Sequence, residues 1–203
     1  MLLASIALGL APGCDSAPAS IDDLPAGQRP GGAPQLVALA GGATVAVPAR
    51  YQPAQAPTLP DVERVHLFRG QEPPAGNSRL MVNELALQGR SCAERLDEEW
   101  KRMQAAQADA DPAKLRMRRI GTSEQRFVAG HRVLYSESTQ QRPGKRGTGL
   151  PDAAVASAMM CEAPNQLLIV FAVDLPELPA GAGPLLERIV ASYRPPPPQG
   201  TSR

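Results

Sequence analysis

Runs of apolar and β-branched residues, interrupted by glycine and proline, dominate the first half of the sequence. Such runs are typical of short strands, and the interruptions are typical of turns. The predicted strands are residues 35–40, 43–47, 64–69 and 80–88, and the predicted loops are residues 52–60 and 70–78. Gly41 and Gly42 divide the first two runs and favour a tight turn, so these runs are predicted to form a hairpin that ends at Pro48.

A helix is predicted after these strands. Ser91 and Glu94 have the spacing of a capping box, in which each side chain binds a main-chain N–H of the first turn. The residues that follow at helical spacing are Leu96, Trp100, Met103 and Gln107. We expect the helix to end near Ala110, because Pro112 disfavours a helical conformation in the residue before it.

The second half of the sequence alternates between apolar and polar residues, as half-buried strands do. The predicted strands are residues 115–118, 125–128, 132–138, 154–161 and 167–173, with a turn at Gly130. The last of these strands is apolar on both faces, which predicts a central position in the sheet. A second helix is predicted over residues 183–193, with an apolar stripe of Leu185, Leu186, Ile189, Val190 and Tyr193. This order predicts an α+β domain, a mainly antiparallel sheet packed with two helices.

The amino-terminal end has the pattern of a secretion signal. Residues 2–10 are apolar but too few to cross a bilayer, and small residues precede Cys14, as at the processing sites of bacterial lipoproteins. We therefore expect a lipid on Cys14 that anchors the protein in the bacterial cell envelope, facing the periplasm. The choice between inner and outer membrane stays open, and the alternative is an ordinary cleaved signal with an incidental cysteine.

These features divide the chain into four predicted parts. They are a signal peptide over residues 1–13, a disordered tether over residues 14–34, a single α+β domain over residues 35–194, and a disordered proline-rich tail over residues 195–203. The tether is rich in Ala, Pro, Gly and Ser, a composition that buries too little apolar surface to fold.

Cysteine usage predicts one disulfide. The sequence has three cysteines, and a lipid on Cys14 leaves Cys92 and Cys161. In an oxidising compartment an even remainder favours a disulfide between them, whereas the alternative is two buried free thiols. Neither residue has a histidine or a second cysteine at ligand spacing, so no metal site is predicted.

Composition and candidate chemistry favour a protein that is not an enzyme. The formal net charge of +1 and the aromatic content of 3% do not favour binding of a nucleic acid, and no cofactor is predicted. His66 and His131 have no recognisable catalytic partner, so structural or surface roles are predicted for both and no catalytic residue is assigned.

Four basic residues are candidates for binding a partner. Lys145 and Arg146 lie in a polar loop over residues 140–151, where they could contact an acidic partner or lipid headgroups. Arg116 and Arg118 alternate with apolar residues and would form a basic stripe on the outer face of the sheet. The alternative for this stripe is an exposed face that only keeps the protein soluble.

The whole pattern resembles bacterial lipoproteins with a DcrB or PsbP/Mog1-like domain. The similar segments are ATVAVPARY (residues 43–51), SCAERLDEEWKRM (91–103), VAGHRVLYSES (128–138), FAVDL (171–175) and LLERIVASYRP (185–195). The resemblance implies a small α/β/α sandwich. It also implies a non-enzymatic lipoprotein, assembly factor or chaperone that binds other proteins.

Three functions are therefore compared. The first is an envelope-anchored interaction, assembly or chaperone-like module that binds an unidentified protein through the sheet face or the loop over residues 140–151. The second is a small-ligand binder or hydrolase with a pocket between sheet and helices, which would use His66 or His131. The third is an immunity protein against a secreted toxin, which a neighbouring toxin gene would support.

Overall fold

The computed structural model describes residues 32–72, 76–108, 117–118, 123–140, 153–175 and 177–197. Its strands are β1 (Gln35–Ala38), β2 (Thr44–Val47), β3 (Gln52–Ala54), β4 (Val62–Glu72), β5 (Gly76–Leu85), β6 (Met117–Arg118), β7 (Glu124–Val128), β8 (His131–Gln140), β9 (Ala153–Glu162) and β10 (Asn165–Val173). Its helices are α1 (Cys92–Ala108) and α2 (Ala182–Ala191).

Eight strands form one antiparallel sheet in the order β3-β4-β5-β10-β9-β8-β6, with β7 also paired to β8. The central position predicted for residues 167–173 is confirmed, because β10 lies between β5 and β9 and pairs with both over most of its length. β6 pairs with the end of β8 and β7 pairs with its beginning, so both lie along the same edge of the sheet.

One helix covers each face of the sheet. On the α2 side, the apolar stripe of α2 packs on Leu80, Val133, Met160 and Ile169 in the larger buried cluster. On the α1 side, a smaller cluster is formed by Leu96, Met103, Leu134, Met159 and Cys161. Neighbouring residues of a strand, such as Val133 and Leu134, belong to different clusters because side chains along a strand point to opposite faces in turn. The predicted α+β class, with a mainly antiparallel sheet and two helices, is confirmed.

The amino-terminal hairpin shares the α2 side with helix α2. β1 and β2 pair as predicted, and Gly41 and Gly42 have φ angles of 71° and 91°, which glycine adopts without strain. Thr44 exchanges two main-chain hydrogen bonds with Arg194, which follows α2. The Ala46 N–H donates to Ser192 Oγ at 2.7 Å. The hairpin and α2 therefore form one continuous cover over this face.

The start of helix α1 also agrees with the prediction from the sequence. The Glu94 carboxylate accepts from the Ser91 N–H at 2.8 Å, and Ser91 Oγ accepts from the Glu94 N–H at 3.3 Å, so the capping box is confirmed. The Cys92–Cys161 disulfide is formed, and it joins the first turn of α1 to the end of β9. This bond ties α1 to its face of the sheet.

Two predicted loops are wrong in part, because strands extend into them. Residues 52–60 include strand β3, in which Pro53 is tolerated because β3 lies at the edge of the sheet. Residues 70–78 largely continue β4 and β5, whose pairing extends as far as Glu72 and Gly76. Gly70 lies within β4. A Cβ atom there would lie 2.8 Å from the Tyr51 ring, so glycine is needed for close packing and not for a turn.

Candidate functional site

Polar side chains gather at one end of the sheet on the α2 side. The strand registers and the period of two place five of them on this face, and we name the group the histidine end. Its members are His66 on β4, Glu84 on β5, Asn165 on β10, Glu162 on β9 and His131 on β8. Both histidines that the sequence singled out therefore belong to one region of the fold.

Glu84 is the buried centre of one half of the histidine end. Only 3% of this residue is exposed, and its carboxylate accepts a hydrogen bond from the Ala40 N–H at 2.6 Å. His66 Nε2 lies 3.1 Å and an Arg64 guanidinium nitrogen lies 3.4 Å from the same carboxylate. A buried carboxylate needs such partners. The group therefore fixes the turn of the amino-terminal hairpin to the sheet.

His131 holds the other half of the histidine end together. Its Nδ1 atom lies 2.6 Å from Glu162 Oε1, and its ring meets the Tyr193 ring edge-on at 5.6 Å. Asn165 Nδ2 donates to the Tyr193 hydroxyl at 3.2 Å. Tyr193 lies two residues after the end of helix α2, so these contacts hold the end of that helix against the sheet.

The two halves cannot form one reaction centre. His66 and His131 lie on strands that are four positions apart, which is about 19 Å at the usual strand spacing of about 4.8 Å. Within the described ranges, no three side chains of His, Cys, Asp and Glu are grouped so that they could hold a metal ion. His66 instead contacts Glu84, which binds the turn of the amino-terminal hairpin. His131 contacts Glu162, and its ring packs against Tyr193 after helix α2.

A second polar group, which we name the arginine end, lies at the opposite end of the same face. The Tyr51 hydroxyl donates to the buried Glu72 carboxylate. The Arg50 guanidinium lies 3.6 Å from that carboxylate and 5.1 Å from the centre of the Tyr51 ring. Burial raises the pKa of Tyr51 above its usual range, and the hydrogen bond to Glu72 raises it further. Tyr51 is therefore a neutral donor at physiological pH.

Arg188 on α2 completes the arginine end. Burial lowers the pKa of its guanidinium, and the nearby charge of Arg50 lowers it further. The Nε atoms of both arginines are buried and have no hydrogen-bond partner among the residues that the structure describes. Buried polar atoms of this kind are rare in native proteins. On the same face, Ser78 Oγ and Asn165 Oδ1 are also buried without a hydrogen-bond partner among the described residues.

The third distinctive region is the outer strand β7. Phe127 is 79% exposed, whereas Phe68 and Phe171 are buried in the core. The adjacent Arg126 points to the other face, where it pairs with Glu124 and with Glu187 of α2 and lies 4.0 Å above the Tyr135 ring. β7 is therefore held firmly on its inner side while it presents an aromatic side chain to solvent.

The surroundings of Phe127 are also fixed. Arg132 stands opposite Phe127 in the β7–β8 pairing. Its guanidinium lies 2.7 Å from Asp97 of α1, and its Nε atom donates to Gln125 at 3.0 Å. The exposed ring thus sits on an ordered surface that joins the sheet edge to helix α1.

The sequence and the structure coincide only in part at these sites. The predicted pairing of Cys92 with Cys161 is confirmed. Cys14, Arg116, Lys145 and Arg146 lie outside the described residues, and Arg118 lies in β6 with a side chain that is not described, so their roles stay predictions. Sequence reasoning missed Phe127 and the arginine end. No local signal marks Arg50 and Arg188 as neighbours, because they are distant in sequence.

No protein-family model matches this sequence, and no curated protein is similar to it in sequence. Among solved structures, the Ran-binding protein Mog1p of Saccharomyces cerevisiae is similar at 18% identity and a TM-score of 0.49, over 79% of this chain and 94% of that one. A Pseudomonas aeruginosa protein of unknown function is similar at 17% identity and a TM-score of 0.46, over 82% and 99%.

A Bacteroides thetaiotaomicron protein is similar at 12% identity and a TM-score of 0.43, over 79% of this chain and 47% of that one. This chain thus spans about half of the Bacteroides protein. At these identities the similarities concern the fold, and no function of this chain follows from them. None of the helices in the described ranges combines the length and the apolar character needed to span a membrane.

Proposed function

We propose that this protein is a non-enzymatic interaction module of the bacterial cell envelope, anchored by a lipid on Cys14, which binds a protein partner through strand β7. The observation that carries the proposal is the exposure of Phe127 on a firmly held edge strand. Aromatic side chains supply much of the binding energy of protein interfaces, because they bury a large area with little loss of side-chain freedom.

The main chain of β7 suits an extended partner. Ala129 and Gly130 both have positive φ angles, as a two-residue hairpin turn requires. In such a hairpin Val128 bonds to His131, and bonded pairs then alternate along the strands. The main-chain groups of Gln125 and Phe127 therefore point away from β8. An added strand of a partner would pair with them and place an apolar side chain against Phe127.

The rigidity of β7 also favours this use. Arg126 ties the strand to Glu187 of α2, and the Tyr135 ring supports the guanidinium from below. A strand that is already ordered loses little conformational freedom when a partner binds. β6 lies along the same edge, so Arg118 belongs to the same proposed interface.

A photo-crosslinking amino acid at the exposed Gln125 would test the interface in cells that produce the full chain. We expect one partner to be crosslinked, and Phe127→Ser to remove that product. The purified partner should bind Phe127→Ser at least about tenfold more weakly than the wild type, as truncation of a central aromatic residue does. Leu36→Ser is the matched control, because Leu36 is 75% exposed but lies on the amino-terminal hairpin. Equal affinity of the two variants for the partner would refute the β7 interface.

The anchor is tested separately. Cys14→Ser should abolish incorporation of a labelled fatty acid and release the protein from the membrane fraction, because a thiol is the group that bacterial lipoproteins modify. Variants at Phe127 should keep the label. Labelling that persists in Cys14→Ser would contradict the anchor and leave the proposed interface untouched.

A hydrolase that uses both histidines in one pocket is not proposed. His66 and His131 each contact a glutamate and lie about 19 Å apart by strand spacing. The interaction module needs neither of them as a reacting group.

A further inference from the structure

We propose that two copies of this protein pair through strand β1 of the amino-terminal hairpin and form a symmetric dimer. Three observations carry the proposal. The main chain of β1 is open along one edge, the side chains beside that edge are exposed and apolar, and this part of the sequence has no charge. Binding of a partner at β7 does not involve β1, so a change at Leu36 leaves that binding intact.

The open edge of β1 follows from the contacts of β2. Thr44 exchanges two main-chain hydrogen bonds with Arg194, and the Ala46 N–H donates to a serine that follows α2. Thr44 and Ala46 therefore point away from β1, and the residues opposite them in the register are Ala38 and Leu36. Opposite residues of an antiparallel pair either bond to each other or both point outward. The N–H and C=O groups of Leu36 and Ala38 thus point away from β2, and no described residue bonds to them.

The side chains beside this edge are exposed and apolar. Leu36 is 75% exposed, and Ala38 on the same side of the strand is also exposed. Val37 between them is buried in the core, so β1 is held in place from its inner side. An ordered strand with unpaired main-chain groups and an exposed apolar side chain favours pairing with another strand.

β1 lacks the features that usually protect an edge strand. Proteins place charged residues or proline on such edges, which prevents pairing between copies. The two outermost strands of the large sheet have Pro53 and Arg118. By contrast, residues 30–49 contain no charged residue, and β1 itself contains no proline. Nothing in the sequence of β1 therefore opposes its pairing with a second strand.

A second copy of β1 fits this edge well. If two copies run antiparallel about a two-fold axis at Val37, Leu36 of each copy stands opposite Ala38 of the other. These are the residues with free main-chain groups, so the pairing satisfies both copies at once. Each leucine lies beside a small alanine, which leaves room for it. A charge on β1 would meet the same charge on the second copy, and β1 has none.

The predicted tether would strengthen a weak pairing. β1 has four residues, so the paired strands alone bury less than the roughly 800 Å² per partner that is typical of stable interfaces. Copies anchored in one membrane meet at a high effective concentration. About 20 residues separate Cys14 from Gln35 and span at most roughly 70 Å, so both lipids can reach the same surface. This step rests on the proposed anchor, whereas the open edge does not.

Disulfide crosslinking tests the register in cells that produce two differently tagged copies of the full chain. Leu36→Cys on one copy and Ala38→Cys on the other place their Cα atoms about 5.5 Å apart, which suits a disulfide. Two copies of the same variant place them diagonally, at about 7–8 Å, which is too far. With a mild thiol oxidant, we expect the mixed pair to give at least about fivefold more crosslinked dimer than either variant with itself.

Sedimentation equilibrium of the purified full chain with Cys14→Ser tests the edge without the anchor. Its mass should approach that of a dimer as the concentration rises toward about 1 mM. Adding Ala38→Lys places a charge on the edge and should raise the dimer dissociation constant at least about tenfold. Ala105→Lys is the matched control, because it adds the same charge at an exposed position of α1 and should not change self-association.

The proposal is refuted if the mixed cysteine pair gives no more dimer than the single variants, or if Ala38→Lys does not weaken the self-association seen without it. A crosslink from either cysteine to a different protein, with no dimer, would assign the edge to that protein and also refute the proposal. A chain that is monomeric in solution but gives the mixed crosslink in cells supports the dimer and shows that it needs the anchor.

Discussion

The two sides of the sheet are built in different ways. On the α2 side, a long apolar core joins the helix, the amino-terminal hairpin and five strands, and polar groups lie at both ends of that core. On the α1 side, the described residues form a much smaller buried cluster, and the Cys92–Cys161 disulfide lies within it. One helix is therefore held mainly by burial and the other by burial together with a covalent bond.

This difference explains where a disulfide is useful. α2 buries Ala182, Leu185, Leu186, Ile189 and Val190, so the hydrophobic effect alone stabilises its position. α1 is predominantly polar, and among its described residues only Leu96 and Met103 are buried. A crosslink at the start of such a helix restricts the unfolded chain, which compensates for the small core.

The largest effect is expected from breaking the disulfide. The cysteines are 69 residues apart, so Cys92→Ala should lower the free energy of unfolding by about 4 kcal/mol under oxidising conditions. Denaturant unfolding with and without reductant measures this loss. The reduced wild type and the reduced variant should unfold at similar denaturant concentrations. Equal midpoints of the two proteins without reductant would show that the bond contributes nothing.

The next largest effect compares one leucine from each side. Leu186 is fully buried in the α2 core, and Leu186→Ala should cost about 3 kcal/mol because it leaves a cavity in a well-packed region. Leu96→Ala on α1 should cost less, since the smaller cluster around it can relax into the space. Urea unfolding of both variants under oxidising conditions checks the order. A larger loss for Leu96→Ala would reverse the proposed difference between the sides.

Alkaline pH should weaken the α2 side in particular. The folded protein raises the pKa of Tyr51 and of Tyr135, mainly by burial. Both remain protonated in the folded state when the unfolded chain begins to lose those protons, so their contribution is complete below about pH 10 and is lost above it.

The stability of the wild type should therefore fall by about 1.4 kcal/mol per pH unit for each of these tyrosines above about pH 10. Tyr51→Phe should remove the contribution of Tyr51 to this slope, and the double variant with Tyr135→Phe should remove the contributions of both tyrosines. Urea unfolding at a series of pH values gives the slopes. The account is wrong if the double variant keeps the slope of the wild type.

The smallest effect concerns the helix caps. α1 begins with the Ser91–Glu94 capping box, whereas α2 begins at Gly181 with no side-chain cap. Ser91→Ala should lower stability by about 1 kcal/mol, and Ser91→Thr should retain most of the cap. Thermal unfolding followed by circular dichroism distinguishes them. No difference between the two variants would mean that the cap does not contribute to holding α1.

Prediction from the sequence succeeded where one short segment carries its own signal. The capping box, the glycine turn at Gly41 and the apolar stripe of α2 each depend on neighbours within a few residues. It failed where glycine and proline served a tertiary purpose. Gly70 gives room to the Tyr51 ring and Pro53 lies in an edge strand, so neither residue marks a loop.

The candidate sites were much harder to predict. His66 and His131 were candidates in the sequence because histidine can act in catalysis. The glutamates that they contact depend on strand order and register, which the sequence does not reveal. Phe127 lies in a segment that the alternation of apolar and polar residues predicts to be a half-buried strand. Only the position of β7 at the edge of the sheet leaves that side chain exposed.

The sequence by itself determined the local elements, the α+β class and the choice of Cys92 and Cys161 as partners, because periodicity, capping and cysteine number are properties of the chain. The tertiary structure decided which polar groups meet. Arg50 and Arg188 become neighbours only when α2 packs against the hairpin and the sheet. The free energy that brings them together comes from burying apolar residues around them.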